Sequence, residues 1–236
     1  MFAAATGMAA QQQNLDVIAD NLANADVAGF KSAQATFEAI GAGAMLGTAS
    51  TGTREILAQG KLMKTGGAFD VAIDGAGFFA VERDGARRFT RAGSFSRAAD
   101  GSLRSADGWT LRGVKIPTDA LDVAVGTDGR VTAGTGHGAH LDVGRIRLVA
   151  FLAPEKLRPV DSAVFAATQG SGAARPLASG GDREPKIEFG MLEKSNVSIV
   201  ESMMAILAAQ RAYEANSKGV QAADEMLRIA NNIHRS

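Results

Sequence analysis

Cysteine is absent from the 236-residue chain, which excludes disulfides, thiolate metal centres and cysteine nucleophiles. No apolar run approaches the ~18 residues that a membrane-spanning helix requires. An excess charge of one sign is missing too. Lys and Arg number 25 and Asp and Glu number 25, so no global field draws the chain to nucleic acid or to an anionic membrane. Aromatic residues are scarce, with one Trp and one Tyr against 28 glycines, a balance that points to many turns and close backbone contacts. A secretory signal is also lacking: Met1 to Ala10 is small and apolar but has no basic start and soon meets Gln11, Gln12 and Gln13. Any exit from the cytoplasm is therefore expected to use a route that leaves the N-terminus uncleaved.

Proline is missing where it matters most, between Ser195 and Asn232, and that stretch holds a single glycine, Gly219. Ser198 and Glu201 form a capping box at its start, and about 34 residues at ~1.5 Å each make a rod on the order of 50 Å long. Ile199, Ile206, Tyr213, Val220 and Leu227 recur every seven residues, with a small or weakly polar line, Ser202, Ala209, Asn216, Ala223 and Ala230, three positions on. Val200, Met203, Met204 and Leu207 widen the apolar stripe, and a helix apolar on more than one face needs more than one neighbour.

A second helix is expected from Phe2 to Asn24. Met8, Leu15 and Leu22 keep the same spacing, with Gln11, Ile18 and Ala25 beside them. Gly7 and the glutamine run make it marginal alone, so the C-terminal rod is its natural mate in a coiled coil. Asn14, Asn21, Asn24 and Asn216 lie on or beside the seam, where amides can set register; plain solvent exposure is the alternative.

Between the helices, Thr36, Phe37 and Ile40 extend the pattern of a short helix, after which Gly41 to Thr53 reads as loop or extended linker, with a partial strand around Ile56, Leu57, Leu62 and Met63. From Phe69 the period becomes two: Val71 and Ile73, Phe79 and Val81, Leu103, Trp109 and Leu111, Val123 and Val125, Ile146 and Leu148. Asp74-Gly75, Asp84-Gly85, Asp100-Gly101, Asp107-Gly108 and Asp128-Gly129 punctuate them as hairpin turns. Gly134 to Gly138 and Ser171 to Pro185 read as surface loops. The fold class is thus α+β, divided as a helix over 1–31, an extended linker over 32–67, a central antiparallel β domain over 68–189 and a long helix over 190–236.

Catalytic chemistry finds no constellation. His137 and His140 stand three apart in a glycine-rich stretch with Asp142 the nearest carboxylate, and read as a solvated loop; His234 complements the end of the long helix. Gly75-x-Gly77 and Gly134-x-Gly136 lack the spacing and context of phosphate loops. Ser94 and Ser198 have no histidine partner in any motif, and Asp224-Glu225 fits a solvated helix face. No catalytic, cofactor or metal site, and no small-molecule substrate, is expected.

Several runs carry a family resemblance. Ala4-Ala5-Thr6-Gly7-Met8, Leu15-Asp16-Val17-Ile18, Asn21-Leu22-Ala23-Asn24 and Gly29-Phe30-Lys31 resemble the N-terminal signature of bacterial flagellar rod and hook proteins, with departures at Asp20 and at Asp26-Val27-Ala28. Ile73 to Phe79, Phe89 to Phe95, Gly101-Ser102-Leu103, Leu111-Arg112-Gly113, Gly190 to Val197 and Gln210 to Glu214 are similar to later motifs of that family, in the same order along nearly the whole chain. The resemblance implies a structural subunit of the periplasm-spanning rod, not an enzyme. It would be exported unfolded by the flagellar type III apparatus and assembled with copies of itself and other rod and hook proteins. The distal segment is the leading reading; the short linker after Phe37 leaves a proximal subunit open. The assembly interface is expected on Met8, Leu15, Ile18, Asn21, Leu22, Asn24, Ile199, Met203, Ile206, Tyr213, Val220 and Leu227. Readings of other classes are a secreted wall-modifying enzyme using the β domain and an adhesin-type module whose helices merely dimerise.

Overall fold

A computed structural model describes residues 2–41, 47–135 and 140–233. The chain divides into two compact units. The first comprises Met1–Ala25, Ser32–Ile56 and Val197–Ser236, the second Asp26–Lys31 and Leu57–Asn196.

In the first unit, helix α1 (Phe2–Ala23) packs against helix α2 (Ile199–Ile233) and against a hairpin of β1 (Ala33–Ile40) and β2 (Gly47–Glu55). Ser198 caps α2 by accepting the Glu201 N–H at 3.3 Å, as the Ser-x-x-Glu spacing requires. The helix expected to continue through Thr36, Phe37 and Ile40 is instead β1, and much of the expected linker is β-structure. The cause is tertiary. The Asn21 amide donates to the Ala33 carbonyl at 2.7 Å and accepts the Ala33 N–H at 2.8 Å, holding residue 33 extended where β2 can ladder onto it.

The second unit is antiparallel β. Its strands are β3 (Leu62–Lys64), β4 (Val71–Asp74), β5 (Phe78–Arg83), β6 (Ala86–Thr90), β7 (Ser96–Arg97), β8 (Ser102–Arg104) and β9 (Thr110–Lys115). Then come β10 (Ala120–Val125), β11 (Arg130–Thr135), β12 (His140–Arg145), β13 (Leu148–Ala150), β14 (Arg158–Asp161), β15 (Val164–Ala166), β16 (Arg175–Leu177), β17 (Lys186–Phe189) and β18 (Met191–Glu193). The main sheet runs β10-β11-β12-β9-β5-β6-β15-β14, with β13 joining β5 to β16; β4 pairs with β17, and β3 with β18.

Alternation delivers one face of these strands to a core of Val71, Ile73, Phe79, Val81, Trp109, Leu111, Val131, Ile146 and Ile187. A smaller cluster of Phe78, Phe89, Val149, Leu157 and Phe165 forms on the other face of β5. Asp84-Gly85 is a true two-residue hairpin: Arg83 pairs with Ala86, and both turn residues have positive φ, 52° and 74°. Asp74-Gly75 is not a hairpin turn as its sequence suggests, because β4 leaves it for β17 rather than for β5. Ser171 to Pro185, read as surface loop, contains β16 and a fully buried Ser171, whose hydroxyl accepts the Thr168 N–H at 2.9 Å. Gly134 belongs to β11, while residues 136–139, with His137, and residues 234–236, with His234, lie outside the described part.

Candidate assembly interface

The burial pattern on α2 fixes how α1 lies on it. Gly7 faces Asn216 so closely that a β-carbon there would sit 3.0 Å from the amide nitrogen. The covered positions of α2 are Ser202, Ala205, Ile206, Ala209, Ala212, Asn216, Ser217, Val220 and Ala223, whereas all of 224–229 is exposed. A parallel α1 with Gly7 opposite Asn216 would lie along about 211–232 and cover those exposed residues; an antiparallel one lies along about 200–221, where the covered positions fall. The helices therefore run antiparallel.

The face turned to α1 is the line of small residues. Ala209 is 4% exposed at its centre, and small side chains let two helix axes approach closely. The seven-residue line of large residues splits: Ile206 and Val220 are half-buried, while Ile199, Tyr213 and Leu227 are exposed. Val200, Met203, Met204, Leu207, Met226 and Ile229 are exposed as well, so the large apolar side chains left uncovered on α2 range from 40 to 68% accessible. Isolated exposed apolar residues need no explanation, but a row of them along one helix does.

On α1, Ile18 is buried and Met8, Leu15 and Leu22 are half-buried. Two of the asparagines expected to set register have intrachain uses. Asn21 is buried and ties α1 to β1. Asn24 donates its amide to the Asp20 carbonyl at 2.8 Å and so closes the end of α1. Asn216 lies across the helix pair from Gly7.

A cluster that sequence reasoning missed lies inside the second unit. Glu193 is fully buried; one of its oxygens takes an ion pair from the fully buried Lys31 and a 2.8 Å hydrogen bond from the Gly60 N–H, while the other takes Arg91 at 3.2 Å. Lys31 also donates to the Ala58 carbonyl and Arg91 to the Gly75 carbonyl, each at 2.8 Å. The Glu193 carbonyl accepts the Gly29 N–H at 2.7 Å. Burial pulls the pKa of both cations below the ordinary range, with the charge of Glu193 pulling the other way.

Segments remote in sequence thus meet on one carboxylate, and Lys31, Gly60 and Glu193 each lie within a few residues of where the chain passes between units. Close backbone approach is part of the design: a β-carbon at Gly60 would fall 1.9 Å from the Lys194 carbonyl oxygen. A partial signal was available, since Lys31 follows Gly29-Phe30 and Glu193 follows Gly190-Met191-Leu192, whereas Arg91, with Arg87 and Arg88 close by, carries none. Among the described residues, no group of three or more His, Asp or Glu is placed to hold a metal.

Comparison with known proteins gives three family matches in the expected order. Residues 1–31 match the family described as flagella basal body rod protein. Residues 72–133 match the flagellar hook protein FlgE/F/G D1 domain, and residues 189–233 match the flagellar basal body rod FlgEFG protein C-terminal family. The flagellar basal-body rod protein FlgG of Agrobacterium fabrum is 39% identical over 96% of this chain and 95% of its own length. That of Borreliella burgdorferi is 34% identical over 100% and 98%. The flagellar basal-body rod protein FlgF of Caulobacter vibrioides is 33% identical over 93% and 91%.

Proposed function

Because the chain belongs to the family of flagellar basal-body rod proteins, we propose that the uncovered apolar side of α2 is the surface through which copies of it build the rod. The protein is a structural subunit of that rod, of the distal type. The observation that carries the interface reading is the row from Ile199 to Ile229, which a single antiparallel partner of 22 residues leaves uncovered along a helix of 35. In the assembled rod that row is buried by neighbouring subunits, with α1 and α2 behaving as a coiled-coil pair whose outer faces join several copies. Contacts between different patches of one chain, where the rotation between neighbours does not close into a ring, generate a helical tube able to transmit torque and enclose a channel.

Met8, Leu15, Ile18, Leu22, Ile206 and Val220 hold the pair together within the subunit, and Ile199, Met203, Tyr213 and Leu227 join subunits. Rod and hook proteins are its partners, and the flagellar export apparatus delivers it without cleavage of a signal. Identity of 39% to the FlgG of Agrobacterium fabrum, against 33% to the FlgF of Caulobacter vibrioides, supports the distal over the proximal segment.

Complementation of a strain lacking its distal rod subunit tests the reading. The wild-type chain restores swimming and co-purifies with basal bodies. Met203→Asp and Leu227→Asp leave the circular dichroism of the subunit unchanged yet abolish both. Normal swimming by the two variants would refute the interface.

A further inference from the structure

The main sheet carries a hollow that the helix-based reading does not use. It measures about 410 Å³ and is bounded by Ala80, Arg87, Arg112, Arg147, Val149 and Pro176. Register explains why three arginines gather there. Ala80 pairs with Phe89, Glu82 with Arg87 and with Thr110, and Phe78 with Val149. Alternation therefore puts Arg87, Arg112 and Arg147 on the face away from the main core, around the small side chain of Ala80. Arg112 is held by Glu82 at 3.2 Å. Arg87 and Arg147 form no ion pair among the described residues. The floor is apolar and the rim is basic, so the matching ligand is an apolar side chain flanked by carboxylates.

The same unit carries one. In the pairing of β10 with β11, Ala120 meets Thr135 and Asp122 meets Gly134, which leaves Leu121 as an extra, bulged residue. A bulge re-aims its side chain, and Leu121 is 79% exposed. Asp119 and Asp122 flank it, and neither forms an ion pair among the described residues. The other exposed aliphatic residues of the unit fit less well. Leu141 is followed by Asp142, already committed to Arg130 at 3.7 Å; Val160 has Arg158 close by; Leu152 lacks a flanking pair of acids.

We infer that the arginine-rimmed hollow receives the bulged Asp119–Asp122 edge of a second copy of this chain, with Leu121 on its floor. The chain does not fill its own hollow, because β10 is locked at the sheet edge with β11 and β12 between it and β9. Hollow and insert are different surfaces of one subunit, so the contact is head-to-tail and propagates as a filament does. The inference rests on the rod-subunit reading and adds to it a second intersubunit contact, in the β unit.

The absence of cysteine makes the test clean. The full chain carrying Leu121→Cys with Arg147→Cys is expressed in a strain lacking its own distal rod subunit, and isolated basal bodies are oxidised. A ladder of disulfide-linked multiples is expected, at least tenfold above a Leu152→Cys with Arg147→Cys control. Asp122→Arg should cut the motile fraction at least tenfold, and adding Arg147→Asp should restore it. The inference is overturned by a product no greater than the control, by a disulfide within one chain or to a different protein, or by failure of the charge swap. Basal bodies that contain the chain but yield no ladder overturn this inference alone. Basal bodies from which the unmodified chain is missing overturn the rod-subunit reading, and the inference with it.

Discussion

Replacing Glu193 by Gln would remove one charge from a cluster whose two cations, Lys31 and Arg91, are 0 and 6% exposed. Gln keeps an acceptor for the Gly60 N–H, so the backbone bond at 2.8 Å survives and the change isolates the charge. Leaving buried cations uncompensated costs about 3–5 kcal/mol. At roughly 2–4 °C per kcal/mol for a unit of this size, melting of the β unit falls by about 6–20 °C. Trp109, the single tryptophan, is buried in that unit under the Arg83 guanidinium, 4.2 Å from its ring centre, so its fluorescence reports on the unit specifically. The companion variant replaces all three partners, Lys31→Met, Arg91→Met and Glu193→Leu. It should recover most of the loss, because an apolar replacement has no charge to strand. A Glu193→Gln protein that melts within 2 °C of wild type would refute the claim that this carboxylate holds the three segments together.

Gly60→Ala should destabilise the same unit by about 2–3 kcal/mol in denaturant titration, since its β-carbon collides with backbone rather than with a movable side chain. Ala209→Asp and Leu227→Asp should separate intrachain from interchain packing: the first unfolds the helical unit of the monomer, the second changes monomer stability by about 0.5 kcal/mol or less, as read by far-ultraviolet circular dichroism. Glu55 has its pKa raised by burial from 4.5 to about 7. The folded state therefore favours the protonated acid, and its contribution is fully present below about pH 4.5 and is lost as pH rises through 7. Stability of the helical unit should fall by about 1–2 kcal/mol across that window once solvent screening is allowed for, and Glu55→Gln should flatten the dependence.

The sequence by itself determined where the two terminal helices lie, because proline-free heptads, and for α2 the Ser198 cap, are local signals, although α1 is marginal until it is packed. It determined the antiparallel β unit for the same reason: period-two runs and Asp-Gly turns encode strands and reversals within a few residues. It also carried the family, through motifs spread along the chain.

Tertiary structure alone decided what depends on contacts across long separations. Whether residues 33–40 coil or ladder turned on an asparagine twelve positions away. Which line of α2 faced α1 could not be read from spacing, because large and small lines share one period and only close axial approach chose the small one. The meeting of Lys31, Arg91 and Glu193 came from three strangers in sequence, since no local pattern states which buried charge will find which. Periodicity reports the direction in which a side chain points, and only the folded chain supplies what stands opposite.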